Sequence, residues 1–194
     1  NHVMDYIKER RQYSRNYKSV GVLFVSLCNF SEFFEEAYEG GRELLRVLNE
    51  ITIDFDRMFD EARYKNIEKI KTIGSTYMIA SGLCPELQED DDTNSLQHLY
   101  DLIDFALELY EKLESFNNEA MSVCHFKFQM RMGLNFGPVT AGVIGTERLL
   151  YDIWGDTVNV ASRMDSTGQS GFIQTPDKLA LMFQSDYKFV ERGI

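Results

Sequence analysis

The sequence predicts an α+β fold, with a ferredoxin-like core and a mixed, mostly antiparallel sheet flanked by helices. Three observations carry this prediction. Residues 20–27 are apolar almost throughout and have the length of a central strand. Two later segments repeat apolar residues at three- and four-residue steps, which is typical of amphipathic helices. Residues 126–136 alternate apolar with polar side chains, which is typical of a strand with one buried face.

The composition fits one packed globular domain. The chain has 194 residues, of which 44% are hydrophobic, enough to enclose one sizeable core but not two. Lys and Arg number 20 against 31 Asp and Glu, which gives a net charge of −11. This acidity argues against a nucleic-acid-binding surface, although it permits a nucleotide to bind in a local basic pocket.

The cysteines and the apolar runs indicate a cytosolic setting. Cys28, Cys84 and Cys124 are odd in number and lack metal-ligand spacing, so we expect reduced thiols. The sequence contains neither a signal peptide nor an apolar run of roughly 18 residues, the length of a membrane span. Because the chain begins at Asn1, we expect a piece of a longer protein whose membrane spans lie elsewhere.

Patterns in the first half predict the elements in order. Residues 1–18 are polar and charged, so we expect a lead-in helix or linker before one domain over residues 19–194. Residues 29–32 offer a helix start after the first strand. A long helix from Gly41 is predicted by an apolar stripe that consists of Leu44, Leu48, Ile51, Phe55 and Met58.

A β-hairpin follows. Residues 67–73 and 76–80 have strand character and flank a tight turn at Gly74 and Ser75. The acidic run 89–92 is interpreted as a solvated linker, because it lacks the glycine-turned pattern of a calcium loop. Apolar residues at helical steps from Leu99 to Leu113 predict a second long helix.

The second half predicts short elements. Gly137 and Pro138 predict a turn between the alternating strand and a further strand over residues 139–144. Asp156 or Thr157 is expected to cap a helix, since either side chain can accept from the first-turn N–H groups. Beyond it we expect a short strand over residues 172–174, a helix from Pro176 and a last strand from Tyr187.

Three polar residues gather around that capped helix. Asn159 and Arg163 are four residues apart and share a helix face, and Asp152 lies just upstream. An acceptor, an amide and a guanidinium could together bind a base edge and a phosphate. From spacing alone, a solvated helix face is the simpler interpretation.

The run YDIWGDTVNVASRMD resembles the signature of the class III nucleotide cyclases, specifically the second cytosolic catalytic domain of animal membrane-bound adenylyl cyclases. The resemblance extends from about Gly21 to the end and implies the same ferredoxin-like core. It implies that Asp152 accepts from the adenine amino group. It also implies that Asn159 and Arg163 are catalytic and face the ribose and the reacting phosphate.

The hairpin carries a second part of the resemblance, in the run EKIKTIGSTYM. The resemblance implies that Lys71 donates to a ring nitrogen of adenine. Guanylyl cyclases carry Glu and Cys at the positions of Lys71 and Asp152, so this pair implies ATP rather than GTP as substrate. Taken alone, Lys71 would be interpreted as a strand-edge lysine that deters sheet pairing.

Members of this family bind two divalent ions, Mg²⁺ or Mn²⁺, through two aspartates. Here the matching positions are Ser26 and Ser75, and a serine cannot replace a carboxylate as ligand to a hard cation. The resemblance therefore implies that a first cytosolic cyclase domain supplies the aspartates. ATP would bind between the two domains, and the products would be cyclic AMP and pyrophosphate.

The resemblance implies further partners. The stimulatory G-protein α subunit would dock near residues 39–46 and 123–126, and a second, degenerate pocket containing Ser75 would suit the diterpene forskolin. The parent protein would lie at the cytosolic face of the plasma membrane and cross it several times. A lysine that reaches the terminal phosphates belongs to a later hairpin of the family, and we expect that hairpin to be truncated here.

Two other functions remain open from the residues. A regulatory or dimerisation module on the same scaffold would also suit Ser26 and Ser75. A standalone ATP-binding protein is disfavoured, because the sequence has no glycine loop that would cradle phosphates.

Overall fold

The computed structural model describes residues 14–36, 42–84, 96–119, 126–145 and 149–192. Within them the predicted α+β architecture, an antiparallel sheet flanked by helices, is confirmed. The elements in chain order are β1 (Ser14–Leu27), α1 (Phe30–Glu36), α2 (Arg42–Phe59), a short 3₁₀ helix (Ala62–Tyr64), β2 (Ile67–Ile73), β3 (Thr76–Ser81), α3 (Gln97–Glu119), β4 (Met130–Ile144), β5 (Leu150–Trp154), α4 (Asp156–Ser166), β6 (Ile173–Gln174) and α5 (Asp177–Phe183).

The described strands form one sheet in the order β2-β3-β1-β4-β5, and the short β6 pairs with β4 in parallel. The other pairings are antiparallel. In β1, successive side chains point to opposite faces, so Leu23 and Val25 pack with α2 and α3. Val22 and Phe24 pack on the other face with Ala161 of α4. The sheet thus separates two cores, and α4 covers the second.

The hairpin and both long helices form where the sequence predicts them. Gly74 has a φ of 60°, a left-handed conformation that glycine adopts without strain, and this allows the tight turn between β2 and β3. Ile51, Phe55 and Met58 of α2 are buried as the predicted stripe requires. Cys28 and Cys84 form no disulfide within the described residues; Cys124 and the acidic run 89–92 lie outside the described residues.

The first strand begins earlier than predicted. The expected lead-in helix or linker over residues 1–18 is wrong for residues 14–18, because β1 starts at Ser14 and its first residues pair with the far end of β4. Tyr17, opposite Val139, is 2% exposed. Partner-strand pairing thus overrides the polar composition of this segment. Residues 1–13 lie outside the described residues.

The predicted turn at Gly137 and Pro138 is also wrong, because β4 runs through both residues without interruption. Proline has no N–H to donate to a strand ladder, so it normally interrupts one. Here the pairing of β1 with β4 shifts between Tyr17 and Val20, and Pro138 falls at that irregularity. The bulge in the partner strand therefore accommodates the missing donor.

The strand predicted from Tyr187 is absent from residues 187–192, the end of the described chain. Instead, the Tyr187 hydroxyl donates to Asp104 Oδ1 of α3 at 2.7 Å, and its ring packs edge-on against Phe183. Arg192 donates to the carbonyl oxygen of Thr167 and to Gln174 Oε1. Within the described ranges, none of the helices combines the length and apolar character that a membrane crossing needs.

Candidate active site

A cleft of about 330 Å³ opens between the β2–β3 hairpin, β1, β5 and the first turns of α4. Its buried floor is apolar, and its more exposed lining is both polar and apolar. The lining residues are Phe24, Lys71, Ile73, Met78, Ile153, Trp154, Gly155, Val158, Asn159 and Ser162. Two of the predicted site residues, Lys71 and Asn159, therefore face one cavity.

Lys71, which lines this cleft, forms an ion pair with Asp152, which lies beside the lining residues. The distance from Lys71 Nζ to Asp152 Oδ2 is 2.6 Å, and the side chains are 30% and 8% exposed. Asp152 Oδ1 accepts from the backbone N–H of Ile153 at 2.9 Å. The ammonium has three N–H groups and the carboxylate about four acceptor positions, so both can contact a ligand while they remain paired.

The helix that carries the other predicted residues begins without the predicted cap. Neither Asp156 nor Thr157 caps it, because the N-cap position is Gly155, with a φ of 139°. The Thr157 hydroxyl donates instead to the carbonyl oxygen of Pro138 at 2.7 Å. The carbonyl oxygen of Gly155 accepts from the N–H groups of Val158 and Asn159. Thr157 therefore ties α4 to β4 and does not stabilise the helix end.

Asn159 and Arg163 lie one turn apart on the exposed face of α4. Asn159 lines the cleft, whereas Arg163 lies beyond the lining residues. No side chain of the described ranges forms an ion pair or hydrogen bond with the Arg163 guanidinium or the Asn159 amide. Both groups are thus available to a bound molecule that extends from the cleft along α4.

The two serines lie together where β1 ends and the hairpin turns. Ser26 Oγ donates to Asp165 Oδ2 at 2.8 Å and lies 2.7 Å from Thr76 Oγ1. Ser75 Oγ donates to the carbonyl oxygen of Leu27 at 3.2 Å. Hydroxyls that are already engaged are poor ligands for a hard divalent cation.

The site of the two serines does not fit a divalent ion in this chain. Asp165 is its only carboxylate within the described part of the chain, and Arg131 Nε lies 3.4 Å from Asp165 Oδ1. A guanidinium at that distance opposes the binding of a second cation. Among the described residues, no three histidine, cysteine, aspartate or glutamate side chains lie close enough together to bind a metal ion.

Asp165 is a site residue that sequence reasoning missed. Burial raises the pKa of its carboxyl group, while the Ser26 hydrogen bond and the Arg131 charge act in the opposite direction. The available signal was the spacing of Thr157, Ala161 and Asp165, each four residues apart and all buried. That stripe marks the inner face of α4 and shows that Asp165 points into the protein.

A second groove of about 510 Å³ lies between α2 and the end of α3. Charged residues of both signs surround one partly exposed isoleucine. The lining residues are Glu50, Ile53, Asp54, Arg57, Lys112, Ser115, Phe116 and Glu119. Of the segments predicted to dock a G protein, residues 39–46 and 123–126, residues 39–41 and 123–125 lie outside the described residues, and this groove borders α2.

The chain matches known proteins over almost its whole length. Residues 12–194 match the family described as the adenylate and guanylate cyclase catalytic domain. Adenylate cyclase type 9 from Xenopus laevis is 49% identical over 193 residues, and that from Gallus gallus is 50% identical. Each match covers 99% of this chain and 14% of the relative, so the chain spans about one seventh of those proteins.

Solved structures have the same fold. The catalytic core of a rhodopsin-guanylyl cyclase with converted specificity, in complex with ATPαS, superposes with a TM-score of 0.73 and 31% identity, over 90% of this chain and 86% of that one. The adenylyl cyclase CyaB from P. aeruginosa superposes with a TM-score of 0.74 at 20% identity, over 90% and 84%. The chain therefore belongs to the adenylate and guanylate cyclase catalytic-domain family.

Proposed function

We propose that this chain is the catalytic half-domain of an adenylyl cyclase and forms cyclic AMP and pyrophosphate from ATP at a site shared with a partner cyclase domain. One observation carries the proposal: Lys71 and Asp152 are paired at 2.6 Å beside a cleft that Asn159 also lines. Identity of about 50% to the type 9 adenylate cyclases supports the same reaction.

Adenine would be selected by this ion pair. Its amino group donates and its ring nitrogens accept, so one carboxylate and one ammonium match it. Guanine carries an acceptor oxygen where adenine carries the amino group. Guanine would therefore place an acceptor oxygen against the carboxylate of Asp152, where no hydrogen bond can form between them. The apolar floor of Phe24, Met78 and Ile153 would hold the base plane.

Catalysis would depend on the exposed face of α4. The ribose 3′-oxygen attacks the α-phosphorus and displaces pyrophosphate, so negative charge shifts onto the phosphoryl oxygens. The Arg163 guanidinium, which no described side chain pairs, would stabilise that charge through fixed N–H donors. Asn159, one turn earlier, would orient the ribose or the reacting phosphate.

Divalent ions, Mg²⁺ or Mn²⁺, would be held by the partner domain. In this chain, the positions of the metal aspartates are Ser26 and Ser75, and their surroundings do not fit a cation. The partner required is therefore a first cytosolic cyclase domain with both aspartates. A non-catalytic module on the same scaffold would not require the open guanidinium of Arg163.

Further partners are proposed from the family resemblance. The groove between α2 and α3 supports docking of the stimulatory G-protein α subunit, since it combines charged rims with the apolar Ile53. Ser75, at the hairpin tip, supports a forskolin pocket at the domain interface. This chain covers 14% of the type 9 adenylate cyclases that it matches, which supports a longer parent protein. From the family resemblance, that protein would lie at the cytosolic face of the plasma membrane and act in G-protein signalling.

Nucleotide preference tests this proposal. The chain is mixed with an aspartate-bearing first cytosolic cyclase domain, and formation of cyclic AMP from ATP is compared with that of cyclic GMP from GTP. We expect cyclic AMP as the dominant product. Formation of neither product, with pairing demonstrated by sedimentation, would contradict the proposal and favour the regulatory module.

A further inference from the structure

We infer that Ser26, Asp165 and Arg131 form a buried clamp that positions α4, and through it Arg163, for phosphoryl transfer. Ser26 is then a positioning residue and not merely the remnant of a metal ligand. The inference rests on the function proposed above, and it deepens that function by assigning residues that hold the catalytic helix in place.

The clamp joins the sheet to the helix. Ser26 lies near the end of β1 and Asp165 in the last turn of α4, and their side chains meet at 2.8 Å although 139 residues separate them. Ser26 is 4% and Asp165 6% exposed. Since Ser26 donates to Asp165, its oxygen accepts from the Thr76 hydroxyl at 2.7 Å. This chain of hydrogen bonds links the hairpin, β1 and α4.

Arg131 supplies the charge that a buried carboxylate needs. It lies directly opposite Ser26 in the antiparallel pairing of β1 with β4. Its Nε lies 3.4 Å from Asp165 Oδ1, and its side chain is 32% exposed. A carboxylate left unpaired in this position would pay a large desolvation cost. The Arg131 guanidinium therefore offsets the negative charge of the Asp165 carboxylate.

The packing leaves α4 little freedom to shift. A Cβ atom at Gly133, two residues along β4 from Arg131, would lie 2.0 Å from the Asp165 backbone nitrogen. Helix backbone thus lies directly on strand backbone. At the other end of the helix, Thr157 donates to Pro138, and Asn135 donates to the carbonyl oxygen of Thr157. Arg163 lies within one turn of the clamp, so its position follows from these contacts.

The clamp also explains why position 26 is a serine and not an aspartate. An aspartate at position 26 would place a second carboxyl group against the buried Asp165. Two carboxylates in contact cannot both ionise without a strong rise in one pKa. Serine instead supplies a donor, so Ser26 suits a half-domain that holds its own helix and leaves the cations to a partner.

A double-mutant cycle, measured by the rate of cyclic AMP formation, tests the clamp. Ser26→Ala and Ser26→Thr are compared in the wild-type and Arg163→Ala chains, each mixed with the partner domain. Ser26→Ala should lower kcat on the order of 10-fold with little change in KM, because small misplacements of a catalytic group are costly. Ser26→Thr, which keeps the hydroxyl, should restore most of the rate. Ser185→Ala, at an exposed serine whose hydroxyl donates to the neighbouring Asp186, is the matched control.

The cycle distinguishes a role of Ser26 in positioning Arg163 from a general loss of activity. In the Arg163→Ala chain, Ser26→Ala should have little further effect, since the group that it positions is already gone. An equal loss of kcat in both chains would overturn the inference and leave the role of Arg163 intact.

Hydrogen exchange tests the clamp without activity. In the full chain, Ser26→Ala should speed amide exchange over residues 161–167 about five- to ten-fold, the effect of losing one buried hydrogen bond, and leave the β2–β3 hairpin unchanged. Unchanged exchange in α4 would overturn the clamp even if cyclic AMP is formed. If no cyclic AMP is formed, the exchange result still decides for or against the clamp.

Manganese binding distinguishes the clamp from a lost metal site. The Ser26→Asp chain should bind no Mn²⁺ in an electron paramagnetic resonance titration. The Arg131 guanidinium is already paired with the Asp165 carboxylate at the place where the ion would bind. Binding of one Mn²⁺ by this variant alone would show that Ser26 is only a missing ligand and would overturn the inference.

Discussion

Lys71 Nζ lies 2.6 Å from Asp152 Oδ2, although the two residues belong to β2 and β5, the opposite edges of the strand order. The two edge strands contact each other, so the sheet curls until its edges meet over the cleft. Twist that accumulates from strand to strand can bring the edge strands of a sheet together in this way. One donor and one acceptor thereby converge at the mouth of an apolar cavity.

The pair should determine which base the domain accepts. The double variant Lys71→Glu/Asp152→Cys replaces both groups by those that guanylyl cyclases resembling this scaffold carry. We expect the ratio of kcat/KM for ATP to that for GTP to fall roughly 100-fold, since each mismatched polar contact in a buried site discriminates strongly. Lys69→Glu, which changes the lysine two residues earlier that pairs with Asp56 at 2.7 Å, should leave the ratio unchanged. A ratio that stays constant in the double variant would refute this role.

Arg163→Ala should impair turnover and spare ATP binding. Loss of one preorganised donor to a developing oxyanion costs about 10²–10³ in kcat, while KM should change less than about three-fold because the base and ribose contacts remain. Arg163→Lys should recover only part of the rate, since an ammonium lacks the planar fork. The exposed Arg63, paired with Glu61 and Glu108, provides the matched control Arg63→Ala. Unchanged kcat in Arg163→Ala would rule out the assignment.

Asp165 should make stability depend on pH. Burial raises the pKa of its carboxyl group in the folded state, so the protonated form is favoured there. Its contribution to stability is complete below the unfolded value of about 3.9 and is lost as pH rises through the higher folded value. Asp165→Asn should therefore gain stability relative to wild type as pH increases from about 4 towards neutrality.

Urea unfolding of both chains between acidic and neutral pH measures this difference. The neighbouring groups are Arg131, Cys28 and Tyr110. Burial raises the pKa values of the Cys28 thiol and the Tyr110 hydroxyl, so both remain neutral. Stability differences that do not vary with pH would contradict the prediction, as would a relative loss in Asp165→Asn with rising pH.

Gly133→Ala should destabilise the domain more than other glycine substitutions. The new methyl group would lie 2.0 Å from Asp165 N and 2.3 Å from Ala161 O, so α4 must move away from β4. We expect a loss of about 3 kcal/mol in the free energy of unfolding, typical of overpacking. In Gly74→Ala, the new methyl group has no atom within 4 Å, and the only strain comes from the backbone φ of 60°. That strain costs roughly 1 kcal/mol. Equal losses in urea unfolding would contradict this account of the helix contact.

Elements determined by local pattern could be predicted from the sequence. The β2–β3 hairpin depends on Gly74 and its flanking strand residues, and the helices depend on stripes such as Ile51, Phe55 and Met58. Each of these signals lies within one segment, so no knowledge of the partner surfaces is needed. The candidate site was predictable in part for the same reason, because Asn159 and Arg163 are separated by one helical turn.

Elements determined by distant partners could not be predicted. Pro138 continues a strand because β1 bulges opposite it, more than a hundred residues earlier in the chain. The local pattern predicts Thr157 as a helix cap, but its hydroxyl donates to the carbonyl oxygen of Pro138. Asp165 resembles a solvated residue at a helix end until the fold brings it to Ser26. In each case a contact between remote segments overrides the local preference.

The half-site claim is tested most directly by cyclic AMP formation from manganese-ATP, first with this chain alone and then with an aspartate-bearing first cytosolic cyclase domain added. We predict no activity above background from the chain alone and clear activity from the mixture, because Ser26 and Ser75 cannot bind the ions that the partner supplies. Activity from the chain alone, at a level that the partner does not increase, would contradict the account.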